Sequence, residues 1–162
     1  MKNLGKLIAG TIVGGAAIAG TVYVVRLSRT GANLETVPMV HVYKLDLTGL
    51  TLQVDVQLKN PTRTALNIKF PFVKLVYKGT TVGSSQAVDK DIAIPAFGEA
   101  VINRILIRIP LLSLFSVSGG LIKAVKNQEQ ANIDVVTSTT IDLGIQKIPF
   151  SKTVTVTLSK AK

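Results

Sequence analysis

The sequence predicts an all-β chain, a β-sandwich of about seven short strands with one short helix, preceded by a single N-terminal helix of transmembrane type. Three observations carry this. Val, Ile, Leu and Thr dominate an apolar-rich composition of 47% hydrophobic residues in which aromatics are only 5%, the usage of pleated, half-buried strands. Apolar and polar residues alternate with period two over several short runs. A stretch of nineteen residues, from Leu7 to Val25, carries no charge. The 162 residues suffice for one ordinary domain plus an appendage. They divide into a hydrophobic helix over 1–29, a linker over 30–36 and the sandwich over 37–160.

The uncharged stretch is bracketed by Lys2 and Lys6 on one side and by Arg26 and Arg29 on the other. As a helix it measures about 28 Å, close to the roughly 30 Å of a bilayer's hydrocarbon core. Gly10, Gly14, Gly15 and Gly20 each cost about 1 kcal/mol of helix propensity in water, so lipid is the more forgiving solvent. Gly10 with Gly14, and Ala16 with Gly20, have the small-xxx-small spacing that lets another helix approach closely, although membrane helices are rich in glycine in any case. Ala17-Ile18-Ala19 also fits a small-x-small cleavage site, which leaves a cleaved signal peptide as the alternative. The apolar run continues through Val22 to Val25 and favours an uncleaved anchor. Cations flank both ends, so the orientation stays open.

Past the linker, Leu50, Leu52, Val54, Val56 and Leu58 alternate with Thr51, Gln53, Asp55, Gln57 and Lys59, a strand with one wet and one buried face. Asn60-Pro61-Thr62 stops it, because proline cannot donate to a ladder and an Asn side chain bonds nearby backbone. Strands follow over 66–70 and 73–78 with a change of apolar parity across Pro71, which a bulge or edge position absorbs. Lys78-Gly79-Thr80 makes a turn. A strand over 87–94 ends at Pro95, and Phe97-Gly98-Glu99 turns into a strand whose Val101, Ile105, Ile107 and Ile109 are expected inside. Residues 111–126 read as the one soluble helix, starting after Pro110 and interrupted at Gly119-Gly120, with Leu121, Ile122 and Val125 at helical spacing. Strands over 131–143 and 151–158 close the module. Seven or so short strands between turns point to a sandwich.

The order of these signals resembles the WHy domain of type 2 late embryogenesis abundant (LEA) proteins. The elements that carry it are Asn60-Pro61 ending an alternating strand, Leu66 and Ile68, the Tyr77-Lys78-Gly79 turn, Val82-Gly83-Ser84, Ile94-Pro95 with Gly98, and the return from Leu143 to Pro149. Thr62 stands where many relatives have a second Asn. The resemblance covers roughly residues 36–158. It implies an immunoglobulin- or fibronectin III-like sandwich with a short helix, a structural role for Asn60 and Pro61, no cofactor and no catalytic residues. Many members of that family carry an N-terminal membrane helix, and their usual associations are stress protection and membrane-associated defence.

Chemistry has few candidates. There is no cysteine, which excludes disulfides, thiolate metal sites and cysteine nucleophiles. His41 is the single histidine, and a triad or zinc site would have to be built around it alone; it reads as a strand or rim residue. Asp89 and Asp91 share a strand face and form the best acid pair, but Lys90 lies between them and no third ligand is near in sequence. Neither Gly14-Gly15 nor Gly119-Gly120 opens a phosphate loop. Nineteen Lys and Arg against nine Asp and Glu give +10, yet fifteen of those cations are scattered along the strands among the acids. Tyr43, Tyr77 and the five phenylalanines mostly take apolar-phase positions and read as core, so nucleic acid is not an expected partner.

The expected function is therefore non-enzymatic, without cofactor or metal. The expected form is a single-pass, membrane-anchored module with the bilayer as partner through Leu7 to Val25, and with a protective, scaffolding or binding role at the membrane surface. The alternative is a structural subunit of a larger assembly, such as a virion or envelope complex, whose glycine-rich helix packs against itself or another protein through Gly10, Gly14, Ala16 and Gly20. Location outside a membrane, secreted or periplasmic, follows if the segment is cleaved.

Overall fold

The computed structural model describes residues 33–112 and 119–160. The expectations placed on residues 7–25, including Gly10, Gly14, Ala16 and Gly20, lie outside the described residues. Among the described residues no helix is long and apolar enough to cross a membrane.

Ten strands are described, more than the seven expected: β1 (Glu35–Asp46), β2 (Gly49–Lys59), β3 (Leu66–Lys69), β4 (Phe72–Tyr77), β5 (Thr80–Ser84), β6 (Asp91–Ile94), β7 (Glu99–Pro110), β8 (Asn132–Asp142), β9 (Lys147–Thr157) and β10 (Ser159–Lys160). One helix, α1 (Gly119–Asn127), precedes β8. A four-stranded sheet has the order β10-β1-β2-β7, and a six-stranded sheet the order β5-β4-β8-β3-β6 with β9 bonded to β8. All pairings are antiparallel except the short β1–β10 contact.

In the four-stranded sheet β2 is central, and Leu50, Leu52, Val54, Val56 and Leu58 are buried as their alternation requires. β1 carries apolar residues on both faces, with Thr36 and Val40 buried and Val37 and Met39 exposed. Its period-two contrast is weak, which is why the sequence reads this strand poorly. Pro38 within it fits a strand that is paired with β2 along its length but with β10 only at His41 and Val42, since proline leaves one ladder donor missing.

The inward face of β7 differs from expectation at one residue. Val101 is half-exposed and Ile102 is buried instead, whereas Ile105, Ile107 and Ile109 are inside. The cause is a bulge: Val54 pairs Ile105 but Val56 pairs Ile102, so Asn103 and Arg104 together face Asp55. Arg104 takes φ +60° there, and the extra residue flips the face of everything before it.

In the six-stranded sheet β8 is central. β3 and β4 lie end to end along one of its sides, and the register slips by one residue between Ile68↔Ile141 and Phe72↔Ser138. This is the parity change at Pro71. The strand expected over 87–94 is shorter, with only Asp91–Ile94 paired. β9 lies along the other side of β8, and past Leu158 the chain continues into β10, which pairs with β1 of the opposite sheet. The strand thus passes from one layer to the other, as sandwich corners do. Lys152 stands opposite Thr137, on the same face of β9 as Phe150 and Val154; a charge on the inner register of an edge strand discourages pairing with another chain.

The two layers share one core, built from β2, β7 and Val40 on one side and from Leu66, Ile68, Val73, Leu75, Ile94, Ile133, Val135, Ile141 and Phe150 on the other. Each large aliphatic side chain taken fully out of water contributes about 2 kcal/mol at most. Residues 111–112 are also helical, residues 113–118 lie outside the described residues, and α1 from Gly119 onward buries Leu121, Ile122 and Ala124 against this core. Its end is closed by Gln128 at φ +58° and by the Glu129 N–H donating to the Ala124 carbonyl at 2.9 Å, a left-handed C-cap that satisfies the last carbonyls. Lys126 in the last turn suits the helix dipole.

Candidate functional site

The strands run lengthwise, so the connections collect at two ends. One end carries the start of β1 at Glu35, the Asn60–Ala65 loop after β2, the Pro95–Gly98 turn before β7 and the Leu143–Gln146 turn between β8 and β9. The described chain begins at this end, at Asn33 and Leu34. The β1–β2 turn at Leu47 and Thr48 and the end of β7 mark the opposite end.

Asn60 organises the first end. It is 1% exposed. Its amide Nδ2 donates to the Thr64 carbonyl at 2.8 Å and to the Pro95 carbonyl at 3.0 Å, while Oδ1 accepts from the Thr62 N–H at 3.1 Å and the Thr62 hydroxyl at 2.7 Å. Its backbone N–H donates to the Gly98 carbonyl at 2.9 Å. A buried amide with donors and acceptor all engaged ties the end of β2, the loop after it and the β6–β7 turn into one unit. Pro61 is exposed beside it. Thr62 supplies two of these contacts, and its carbonyl accepts from the Phe97 N–H at 3.0 Å.

Two apolar side chains stand out at this end. Phe97 is 69% exposed and Ile145 100%. Phe97 also sits at φ +54°, a conformation unfavourable by about 1–2 kcal/mol for a residue with a Cβ. The charges around them balance: Lys59, Arg63 and Lys147 against Glu35, Glu99 and Asp142.

On the outer face of the four-stranded sheet, Asp55 fills the β7 bulge. Its Oδ1 accepts from the Arg104 N–H at 2.7 Å, Gln53 Nε2 reaches both carboxylate oxygens at 3.2 Å, and His41 Nε2 lies 3.9 Å from Oδ2. His41 is thus a half-buried strand residue beside a carboxylate. Val37, Met39, Val101 and Leu106 are exposed on the same face.

Asp89 and Asp91 are held by a cation of the chain itself. Lys69 Nζ lies 2.9 Å from a carboxylate oxygen of each. The hydrogen bond from Lys69 holds Asp89 below the usual carboxylate range, and the two aspartates raise Lys69 well above the usual lysine range. Asp46 is likewise lowered, first by the hydrogen bond from the Thr48 hydroxyl and then by Lys44. Among the described residues no group of three or more His, Cys, Asp or Glu is placed to hold a metal ion.

Sequence reasoning marks Asn60, Pro61, His41, Asp89 and Asp91, and the structure brings Asn60 together with Thr62, Thr64, Pro95 and Gly98. It misses Lys69, which is 20 residues from Asp89 and meets it only through the β3–β6 pairing. It also reads Tyr43 and Phe72 as apolar-phase positions, whereas both are exposed. Tyr43 is the unpaired residue of a β1 bulge between Val42 and Lys44, and Phe97 is exposed on the turn expected at Phe97-Gly98-Glu99.

No family model matches the chain, and no curated protein matches it. Solved structures do. A crystal structure of a protein from Archaeoglobus fulgidus aligns with TM-score 0.47 and 13% identity, covering 80% of this chain and 100% of that one. A solution structure from Arabidopsis thaliana aligns with TM-score 0.49 and 18% identity over 80% of this chain and 84% of that one. The solution structure of a candidate late embryogenesis abundant protein aligns with TM-score 0.29 and 17% identity, over 76% and 72%.

Proposed function

We propose that this chain is a non-enzymatic, membrane-anchored β-sandwich module of the LEA type 2/WHy kind, with a protective, scaffolding or binding role at a membrane surface. The observation that carries the reading is the nineteen-residue uncharged stretch, bracketed by cations, ahead of a sandwich with its own closed core. A stretch of that length and composition partitions into a bilayer, and a core that needs no partner to close is free to act as a tethered unit. The order of motifs around Asn60-Pro61, with two β-sheets packed around one core and a short helix, supports the WHy reading. The titratable groups support a binding role over catalysis: Asp89 and Asp91 are taken up by Lys69, and Asp55 by a bulge amide and Gln53.

Alkaline carbonate extraction of membranes from cells making the full chain tests this. The protein is expected in the pellet and to be released by detergent; recovery in the carbonate supernatant contradicts the anchor.

A further inference from the structure

We propose that the end of the sandwich at which the chain enters β1 rests on the bilayer, with Phe97 and Ile145 reaching the lipid interface. This rests on the anchored reading above and specifies which surface of the module meets the membrane.

Three observations converge. Position comes first. Eight residues separate Val25, the end of the uncharged stretch, from Leu34, and the nine steps between those two residues reach at most about 30 Å even when fully extended. The end that holds Glu35 is therefore the near one. The Leu47 turn lies a full strand away, about 35 Å for eleven or twelve residues.

The second observation is what this end exposes. The Pro95–Gly98 and Leu143–Gln146 turns project past the same row of strand ends, because Leu66 pairs Ile94 and Asn67 pairs both Ala93 and Asp142. Each carries a large apolar side chain at its tip, Phe97 and Ile145, the first mostly and the second fully exposed among the described residues. The third is how they are held. Phe97 keeps φ +54° because its N–H donates to Thr62 and the Gly98 N–H donates to Pro95 at 2.9 Å. Around Ile145, the Leu143 N–H donates to the Gln146 carbonyl at 2.9 Å and the Gly144 N–H to Asp142 Oδ1 at 2.8 Å. A strained, mostly exposed phenylalanine fixed by the Asn60 unit gives the fold little burial and no relaxed backbone, and such a residue points to a surface that uses it. Since Lys59, Arg63 and Lys147 are balanced by Glu35, Glu99 and Asp142, the contact is apolar, and a zwitterionic bilayer suffices.

The chain has no cysteine, so single Phe97→Cys, Ile145→Cys and Leu47→Cys variants of the full chain each take one environment-sensitive fluorophore. They are reconstituted into phosphatidylcholine vesicles with and without brominated acyl chains, and flotation is read in parallel. The labels at 97 and 145 are expected to shift to the blue and to lose intensity with brominated lipid, while the label at 47 does neither. Protein that floats with no quenching at 97 and 145, or with quenching only at 47, overturns the contact and leaves the anchor standing. Protein that fails to float overturns both.

Discussion

Asn60 holds three segments with one buried amide, and its removal leaves their backbone groups without partners. Replacement by alanine orphans the Thr64 and Pro95 carbonyls and the Thr62 N–H. Each unsatisfied buried group costs about 1–3 kcal/mol, and partial rehydration at this end of the sandwich brings the expected total to about 2–4 kcal/mol. A urea midpoint for Asn60→Ala within error of the parent contradicts this assignment. The sequence marks Asn60 as a strand stop with a turn-forming side chain; its partners at Pro95 and Gly98 are legible only once β2, β6 and β7 are placed. Lys69 is a second residue-scale case. Asp89 has its folded pKa depressed by Lys69, so its contribution to stability is present above the unfolded carboxylate value near 4 and is lost as pH falls through the folded one. Lys69 runs the other way, its contribution present below the unfolded value and lost only as strongly alkaline pH passes the raised folded one. Both groups are exposed and screened, so the effect on stability is small. The direct readout is the carboxyl titration: in Lys69→Ala the Asp89 midpoint, followed by carbon NMR, moves up toward the unperturbed value. An unchanged midpoint contradicts the ion pair.

Among the elements, β2 is the one the sequence reads in full, because its ten-residue alternation coincides with a central strand wet on one face. β7 shows where such reading stops. Its Ile102 and Ile105 are both buried, a spacing of three that no uninterrupted strand allows, and the bulge at Asn103 and Arg104 resolves it. β1 carries apolar residues on both faces and a proline, while β5 is short with Gly and Ser, so neither presents a clear period. The β1–β2 hairpin is where one residue has the most control. Gly49 sits at φ +151°, and a Cβ there would overlap the Ile109 carbonyl oxygen. This is backbone of the neighbouring strand and cannot swing away as a side chain does. Gly49→Ala is expected to cost about 2–4 kcal/mol through this overlap, seen as a lowered thermal midpoint. Gly79→Ala at φ +80° has nothing within 4 Å and is expected to cost less, through backbone strain alone, about 1 kcal/mol. Equal midpoints for the two variants contradict the packing argument.

For the molecule as a whole, composition and alternation suffice for the all-β class and for two faces around one core. The pairing of β9 with β8 and the crossing of its continuation to β1 need the fold. So does the gathering of Glu35, Phe97 and Ile145 at one end, since they lie far apart in the chain. The central claim is that a sandwich able to stand alone is tethered by the residues before it. It is tested most directly by co-flotation with phosphatidylcholine vesicles of the full chain and of a chain beginning at Thr30, with sizing of the shorter one in buffer. The account predicts that the full chain floats, and that the shorter one stays at the bottom of the gradient and elutes as a folded monomer. A shorter chain that floats equally, or a full chain that stays at the bottom, contradicts it.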